Sequence, residues 1–235
     1  MERYSLNEIE ASARKAARGA GMSWGLAEEA GKATRWLAAR GLPNVCLLLS
    51  LLKTNDGNAY NELRPQSLDL DIWNTPNGPL CPVISGSALN DLADRLLDDH
   101  KIVLESVTSP ALILPILGRA AKAIGKGFSV SWFSISGGAV KIIIAPDVLY
   151  LEQGRIEDLG IEQVERVTVS GILSDLSNLR IEKSGTGTII ERVVQGVPLS
   201  SENWTDLQFF AARTYVPATE ESRLKGAGAG LSDND

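Results

Sequence analysis

The sequence predicts an α+β or mixed α/β fold: N-terminal helices, then strand–helix alternation, then antiparallel strands, layered in a single domain. Two observations predict it. Apolar and small side chains recur at helical spacing up to about residue 52. Residues 128–194 instead alternate short apolar runs with glycine-containing turns, as strands do. Helices followed by antiparallel strands indicate a layered arrangement over residues 1–235.

Three helices are predicted in the first third of the chain. Ser5 and Glu8 form a capping box that opens the first. Ser23 is placed to cap the second, which glycine and proline then end. The third covers residues 43–52, and its apolar run is far too short to cross a bilayer. We expect Cys46, inside that run, to be a core residue.

Residues 54–80 are polar and rich in turn-forming side chains, which predicts a long loop. Two interpretations stay open: a mobile lid, or a structured excursion. Ile72 and Trp73 favour a short strand where part of the loop packs down. After this loop we expect a helix over 88–98, a strand over 101–107, and a helix that begins at Ser109–Pro110 or is delayed to Pro115. A hairpin that turns at Gly137–Gly138 and strands near 148–151, 164–169, 179–182 and 188–194 should follow. The last predicted element is a helix over 204–213, capped by Ser201.

Charge and cysteine usage exclude several classes of protein. The formal net charge of −6 argues against a general nucleic-acid binder, which needs clustered Lys and Arg. The N-terminus goes directly into a polar helical pattern without the apolar core of a signal peptide. Two cysteines make a poor disulfide framework and indicate reduced thiols. We therefore expect a cytoplasmic protein with neither nucleic-acid nor membrane partners.

The C-terminal segment, residues 214–235, combines alternating glycines with charged and aromatic side chains. Glycine permits close backbone approach, and successive free N–H groups can form an anion-binding concavity. Arginine suits bidentate carboxylate binding, whereas Tyr215 and Glu220 suit proton transfer. The alternative is an ordinary terminal segment of small residues. The ligand-binding residues predicted in and beside this segment are Arg213, Arg223, Gly226 and Gly228.

Further candidates lie earlier in the chain. We expect the C-terminal segment to meet the first two helices at four predicted ligand-binding residues: Arg18, Trp24, Glu28 and Glu29. The alternative is that these are ordinary surface side chains. Ser85 and Gly86 form a turn with free N–H groups, suited either to an anion or to plain helix capping. Cys81 precedes a helix N-terminus, whose dipole would lower a thiol pKa and favour nucleophilic catalysis; simple packing is the alternative.

Several kinds of site are excluded. His100 is the only histidine, so one chain cannot form a His-dependent triad or a multi-histidine metal site. Neither Gly185–Gly187 nor Gly226–Gly230 is followed by a helix, as a dinucleotide fingerprint requires. The sequence therefore predicts no metal site and identifies no cofactor.

Motifs at the two ends carry a family resemblance. They are Ser5–Glu10, Trp24–Gly31, Ala212–Glu220 and Gly226–Gly230. In composition and order they resemble the bacterial domain-of-unknown-function family 3726. The resemblance implies a single-domain bacterial protein and supplies neither an activity nor site residues.

Two functional hypotheses follow. In the first, the protein is an enzyme or binding protein for a small polar metabolite, anionic or carboxylate-bearing, with its site near the C-terminal segment. In the second, it is a non-catalytic subunit or assembly protein whose small-residue helices and glycines dock on a like or unlike chain, as in a homo-oligomer. A concave site where Arg, Tyr and Glu converge would favour the first, and a flat apolar face the second.

Overall fold

The structure, a computed structural model, describes residues 2–76, 78–97, 100–134, 137–172, 187–192 and 196–215. Within these ranges the α-helices are α1 (Leu6–Gly19), α2 (Trp24–Ala38), α3 (Val45–Asn55), α4 (Pro82–Asp91), α5 (Leu114–Ile124) and α6 (Ser201–Ala212). The strands are β1 (Glu2–Tyr4), β2 (Ile72–Trp73), β3 (Lys101–Thr108), β4 (Gly127–Phe133), β5 (Ala139–Ala145), β6 (Val148–Gln153), β7 (Gln163–Ile172), β8 (Thr188–Ile189) and β9 (Val197–Leu199).

Seven strands form one sheet in the order β2-β3-β7-β4-β5-β6-β8. β2 runs parallel to β3, and the other neighbours in this sheet are antiparallel. β1 and β9 pair separately as a two-stranded antiparallel sheet. The predicted α+β class is confirmed, and so is the hairpin of β4 and β5, whose turn contains Gly137 and Gly138.

The large sheet buries one face against the helices. In β4, the buried Phe128, Val130 and Trp132 alternate with the half-buried Ser129 and Ser131, the period of two that a strand imposes. α5 packs on β4 and β5, α2 packs on α5, and α1 packs on α2 and α6. The order of layers is therefore sheet, inner helices and outer helices, around one continuous apolar core.

The N-terminal helices begin where their caps predict. The backbone N–H of Glu8 donates to Ser5 Oγ at 3.2 Å, and the Ser5 N–H donates back to the Glu8 carboxylate at 2.8 Å. This reciprocal pair is the predicted capping box. Ser23 Oγ accepts from the Leu26 N–H at 3.4 Å and opens α2.

Three helix predictions need correction. The helix expected over 88–98 is α4, which begins at Pro82 because proline is favoured in a first helical turn, and ends at Asp91. α6 is capped by Ser200 rather than Ser201. Cys46 is exposed, since α3 turns this side chain away from the core that its leucines fill.

The helix after Ser109 starts late, as one of the two alternatives predicts. A 3₁₀ turn over Pro110–Ile113 precedes α5, and Pro115 lies in the first turn of α5, where its missing N–H costs nothing. The strand predicted over 179–182 lies outside the described residues.

The loop predicted over 54–80 has its own anchors. Tyr60, Leu63 and Trp73 are buried in the common core, and β2 adds a short parallel strand beside β3. The segment is thus a structured excursion; its function as a lid stays a prediction. The sequence does not predict the pairing of β1 with β9, because strands of three residues are too short to show an alternating pattern.

Candidate anion-binding cleft

A cleft of about 560 Å³ opens between α2, α5 and the turn that joins β5 to β6. Six cationic and two acidic side chains line it: Lys32, Arg35, Arg40, Arg119, Lys122 and Arg192, with Glu10 and Asp147. The chain as a whole carries a formal net charge of −6, so this surplus of positive charge is a local feature. A concave surface lined by one sign of charge concentrates ions of the opposite sign.

α2 supplies one wall of the cleft. Lys32, Arg35, Trp36 and Ala39 face it at intervals of three and four residues, the spacing that places side chains on one face of a helix. Arg40 follows just beyond the C-terminal end of α2, where a cation is favoured by the helix dipole. The helical spacing of these cations is visible in the sequence, but spacing alone does not distinguish the wall of a cleft from a solvated helix face.

Arg40 and Trp36 form the floor of the cleft. The Arg40 guanidinium carbon lies 3.6 Å from the centre of the Trp36 ring, and Nη1 donates to the Trp36 carbonyl oxygen at 3.3 Å. A Cβ on Gly118 would lie 3.4 Å from Cζ2 of the indole, so glycine lets α5 approach the ring closely. Burial lowers the pKa of Arg40, and the nearby Arg192 lowers it further, while Asp147 acts in the opposite direction.

Carboxylates form ion pairs with four of the other cations, two of which are Arg35 and Lys122. Arg35 Nη1 lies 2.8 Å from Glu10 Oε2. Lys122 Nζ lies 2.9 Å from Asp147 Oδ1. The Arg35–Glu10 pair is partly exposed and the Lys122–Asp147 pair is largely exposed, so each pair by itself stabilises the fold little.

Glu29 joins the two helices that form the cleft. Its carboxylate forms an ion pair with Arg119 of α5, and it lies 3.5 Å from Lys32 Nζ on its own helix. Glu28 contacts the same lysine at 3.6 Å. Burial lowers the pKa of Arg119. Of the two acidic site residues predicted in α2, Glu29 therefore belongs to the surroundings of the cleft.

Asp147 occupies a tight turn with unusual backbone geometry. It follows Pro146 between the paired residues Ala145 and Val148, and its φ is +63°. That region favours glycine, although aspartate tolerates it better than most residues do. A conformation of this kind at a cleft-lining side chain is the sort of strain that clusters at functional sites.

The end of α6 places Arg213 in a different environment. Its guanidinium contacts the Asp56 carboxylate through two hydrogen bonds of 2.6 and 3.0 Å and lies over the rings of Phe209 and Phe210. Tyr215 is exposed, with Lys15 Nζ 5.8 Å from its ring centre. Glu220, Arg223, Gly226 and Gly228 lie outside the described residues.

The end of α1 packs against the end of α6. A Cβ on Gly19 would collide with the Phe210 carbonyl and lie 3.3 Å from Arg213 Cβ. Arg18 Nη1 donates to the Met22 carbonyl at 2.7 Å, and its guanidinium carbon lies 5.0 Å from the Trp24 ring centre.

The residues around the start of α4 face the core. Cys81 is fully buried, and burial raises the pKa of its thiol to about 11. The lowered pKa expected from the helix N-terminus is therefore wrong, because desolvation outweighs the Val83 and Ile84 N–H groups. Ser85 is buried and its Oγ finds no hydrogen-bond partner among the described residues. A Cβ on Gly86 would lie 2.7 Å from Ile116 Cδ1, so Gly86 permits close helix packing.

Fold and cleft together define a layered α+β protein with a cation-rich cleft. The model of the family described as a protein of unknown function, DUF3726, matches residues 4–76, a stretch that includes α1, α2 and α3. This match confirms, over the N-terminal part of the chain, the resemblance found in the sequence. No curated protein matches the chain.

The chain is similar in its general fold to solved structures. One of them is the crystal structure of malate dehydrogenase from Entamoeba histolytica, with a TM-score of 0.53, 7% sequence identity, and coverage of 92% of this chain and 99% of that one. At that identity the likeness concerns the fold alone. Among the described helices, none is both long and apolar enough to span a membrane. The same part of the chain contains no group of three His, Cys, Asp or Glu side chains suited to a metal ion.

Proposed function

We propose that the protein binds a small anionic metabolite in the cleft between α2, α5 and the β5–β6 turn. The observation that carries the proposal is the local charge: six cations and two carboxylates line a cleft in an acidic chain. Its volume of about 560 Å³ is in the range of small-molecule sites.

The rest of the lining supports the same function. Trp36, Ile144 and Val148 add apolar surface to the charged lining of the cleft. Ligand sites commonly combine such a surface with a few well-placed polar groups that orient the ligand. A ligand with a short carbon skeleton and a strongly anionic end would match both parts.

The cleft supports an anionic ligand better than the end of α6 does. Arg213 is already neutralised by Asp56 there. We therefore keep the expected ligand class and place the binding site in the cleft. The neighbour from Entamoeba histolytica is named for malate, a dicarboxylate, so malate is a sensible test compound, although the shared fold assigns no substrate.

The test is isothermal titration of the intact protein with anionic metabolites, both carboxylates and phosphate esters, at constant ionic strength. The double variant Arg40→Gln, Arg119→Gln should weaken binding at least about tenfold, since hydrogen bonds to charged groups are each worth roughly 1.5–3 kcal/mol. Arg155→Gln removes an arginine that is not among the residues lining the cleft, and it should leave anion binding unchanged. If no anion binds, or the double variant binds as well as the wild type does, the proposal is wrong.

A second candidate function, that of an assembly subunit, rests on three exposed aromatic side chains: Trp24, Phe209 and Tyr215. Their side chains are 67%, 63% and 61% exposed, near the place where α1 meets α6. Exposed aromatic clusters mark interaction surfaces, and a second copy of this chain is the partner we propose.

Sedimentation would test the second candidate on the intact chain, the double variant Trp24→Ser, Phe209→Ser, and a chain truncated after Leu224. A dimer that dissociates in either altered chain would support it. Phe133→Ser is the matched control, since Phe133 is 71% exposed on the large sheet. A monomer at every concentration would rule the dimer out.

A further inference from the structure

We propose that the cleft holds a doubly charged phosphoryl group of its ligand between the guanidinium groups of Arg40 and Arg192. The inference rests on the proposed function and deepens it, because it turns an unspecified anion into a phosphate ester.

The charge balance inside the cleft singles out these two arginines. The other four cations each lie within ion-pair distance of a carboxylate, in the pairs Arg35–Glu10, Lys122–Asp147, Arg119–Glu29 and Lys32–Glu29. Among the described residues, neither Arg40 nor Arg192 forms such a pair. Of the cations that line the cleft, these two are therefore the ones without a carboxylate at ion-pair distance among the described residues, although the charge of Asp147 acts on Arg40 from farther away.

Arg40 is held in position with hydrogen-bonding capacity to spare. The stack on Trp36 at 3.6 Å and the bond to the Trp36 carbonyl fix the plane of the guanidinium. Its Nε is buried and has no partner among the described residues. A buried donor without an acceptor costs free energy that a bound oxyanion would recover. Arg40 is therefore preorganised for a ligand oxygen.

Arg192 approaches the same place from another part of the chain. It follows β8 and lines the cleft with Arg40. Burial lowers the pKa of Arg40 and the charge of Arg192 lowers it further, as expected for two like charges that line one cleft and repel each other. An anion between them would convert this repulsion into two attractions.

A phosphoryl group fits this arrangement better than a carboxylate does. A phosphate monoester carries a charge of about −1.5 to −2 near pH 7 and three strong acceptor oxygens. One carboxylate carries a single charge and two oxygens, so it could neutralise only one of the arginines. Arginine also matches phosphate through paired hydrogen bonds, which a lysine ammonium cannot form in the same geometry.

The test uses titration calorimetry on the intact protein with three probes at matched ionic strength: glycerol 3-phosphate, inorganic phosphate and L-malate. Arg192→Gln is the main variant, since Arg192 is exposed and its loss should leave the fold intact. Arg40→Lys keeps the charge but removes the planar fork, and Arg155→Gln controls for total charge. Thermal melts check that each variant is folded.

We expect glycerol 3-phosphate to bind at least about tenfold more tightly than L-malate, and inorganic phosphate to compete with it. Arg192→Gln should weaken the binding of glycerol 3-phosphate at least about tenfold, because it removes a charge-assisted hydrogen bond. Arg40→Lys should also weaken the ester, while Arg155→Gln leaves it unchanged.

Three other results would overturn the inference, and they can be told apart. If L-malate binds as tightly as the ester, and the cleft variants still weaken it, the phosphoryl assignment is wrong while anion binding in the cleft stands. The assignment is also wrong if Arg192→Gln and Arg40→Lys both leave ester binding unchanged. If none of the three probes binds in a way that depends on the cleft, the inference and the proposed function both fail.

Discussion

Arg213 and Asp56 form a two-pronged ion pair that ties the end of α6 to the end of α3. Nη1 lies 2.6 Å from Oδ1, and Nη2 lies 3.0 Å from Oδ2. The hydrogen bonds from Arg213 hold the pKa of Asp56 below its ordinary value of 3.8. Because the folded state lowers this pKa, the pair stabilises the protein above pH 3.8, and its contribution disappears as the pH falls through the folded pKa.

Replacing Asp56 with asparagine should therefore lower stability at about pH 6 and have a shrinking effect below pH 3.8. Urea unfolding at a series of pH values measures this. The exposed Asp69 provides the control Asp69→Asn, since Asp69 forms no ion pair with the described residues. A stability difference that stays constant down to about pH 2 would show that the ion pair is not its cause.

The two thiols should react very differently. Cys46 is exposed and Cys81 is fully buried, with a thiol pKa raised to about 11. A thiol reagent at about pH 8 should modify Cys46 rapidly and Cys81 only after denaturation, because the thiolate is the reactive form. Cys46→Ala should remove the rapid phase. Rapid modification of Cys81 in the native Cys46→Ala protein would restore it as a candidate nucleophile.

Two glycines of α2 should respond oppositely to alanine. A Cβ on Gly31 would lie 2.9 Å from the Glu10 carbonyl oxygen and 3.1 Å from Arg14 Cβ, so Gly31→Ala would push α1 and α2 apart. We expect a loss of about 1–3 kcal/mol in the free energy of unfolding. A Cβ on Gly25 would have no neighbouring atom within 4 Å, and Gly25→Ala should be neutral or stabilising by up to about 1 kcal/mol. Chemical denaturation compares the two; equal effects would contradict the close approach.

Asp147 should weaken anion binding through its charge. Asp147→Asn keeps a side chain that tolerates positive φ, but removes a negative charge from the cleft and frees Lys122. Affinity for an anionic ligand should rise by about two- to fivefold, the range expected for one partly screened charge. Asp69→Asn again controls for total charge. Unchanged or weaker binding would place the anion away from the β5–β6 turn.

Local signals predicted much of the fold. The Ser5 and Glu8 capping box, the Ser23 cap and the glycine turn of β4 and β5 each depend on residues close together in sequence. These features form through hydrogen bonds and turn preferences among neighbouring residues, so they can be predicted without knowing the rest of the fold. α4 starts earlier than predicted because Pro82 acts as a first-turn residue rather than as part of the preceding loop.

The cleft was harder to predict, because it joins side chains from distant parts of the chain. Arg40 and Trp36 are neighbours on one helix end, but Arg119, Asp147 and Arg192 approach them only after α5, β5 and β6 have packed. Sequence spacing cannot reveal such a juxtaposition. Glu29 was predicted as a ligand-binding residue of α2, yet its partner Arg119 lies far along the chain, in α5.

The pairing of β1 with β9 has a consequence for how the protein folds as it is made. Arg3 donates to the carbonyl of Gly196, 193 positions later, and the Tyr4 ring stacks on Trp204 with centroids 3.9 Å apart. β1 therefore has no partner in its two-stranded sheet until the chain up to Leu199 has been synthesised. Contacts of such long sequence separation slow folding. We therefore expect the β1–β9 pair to form late in folding, after the elements that lie between the two strands in the sequence.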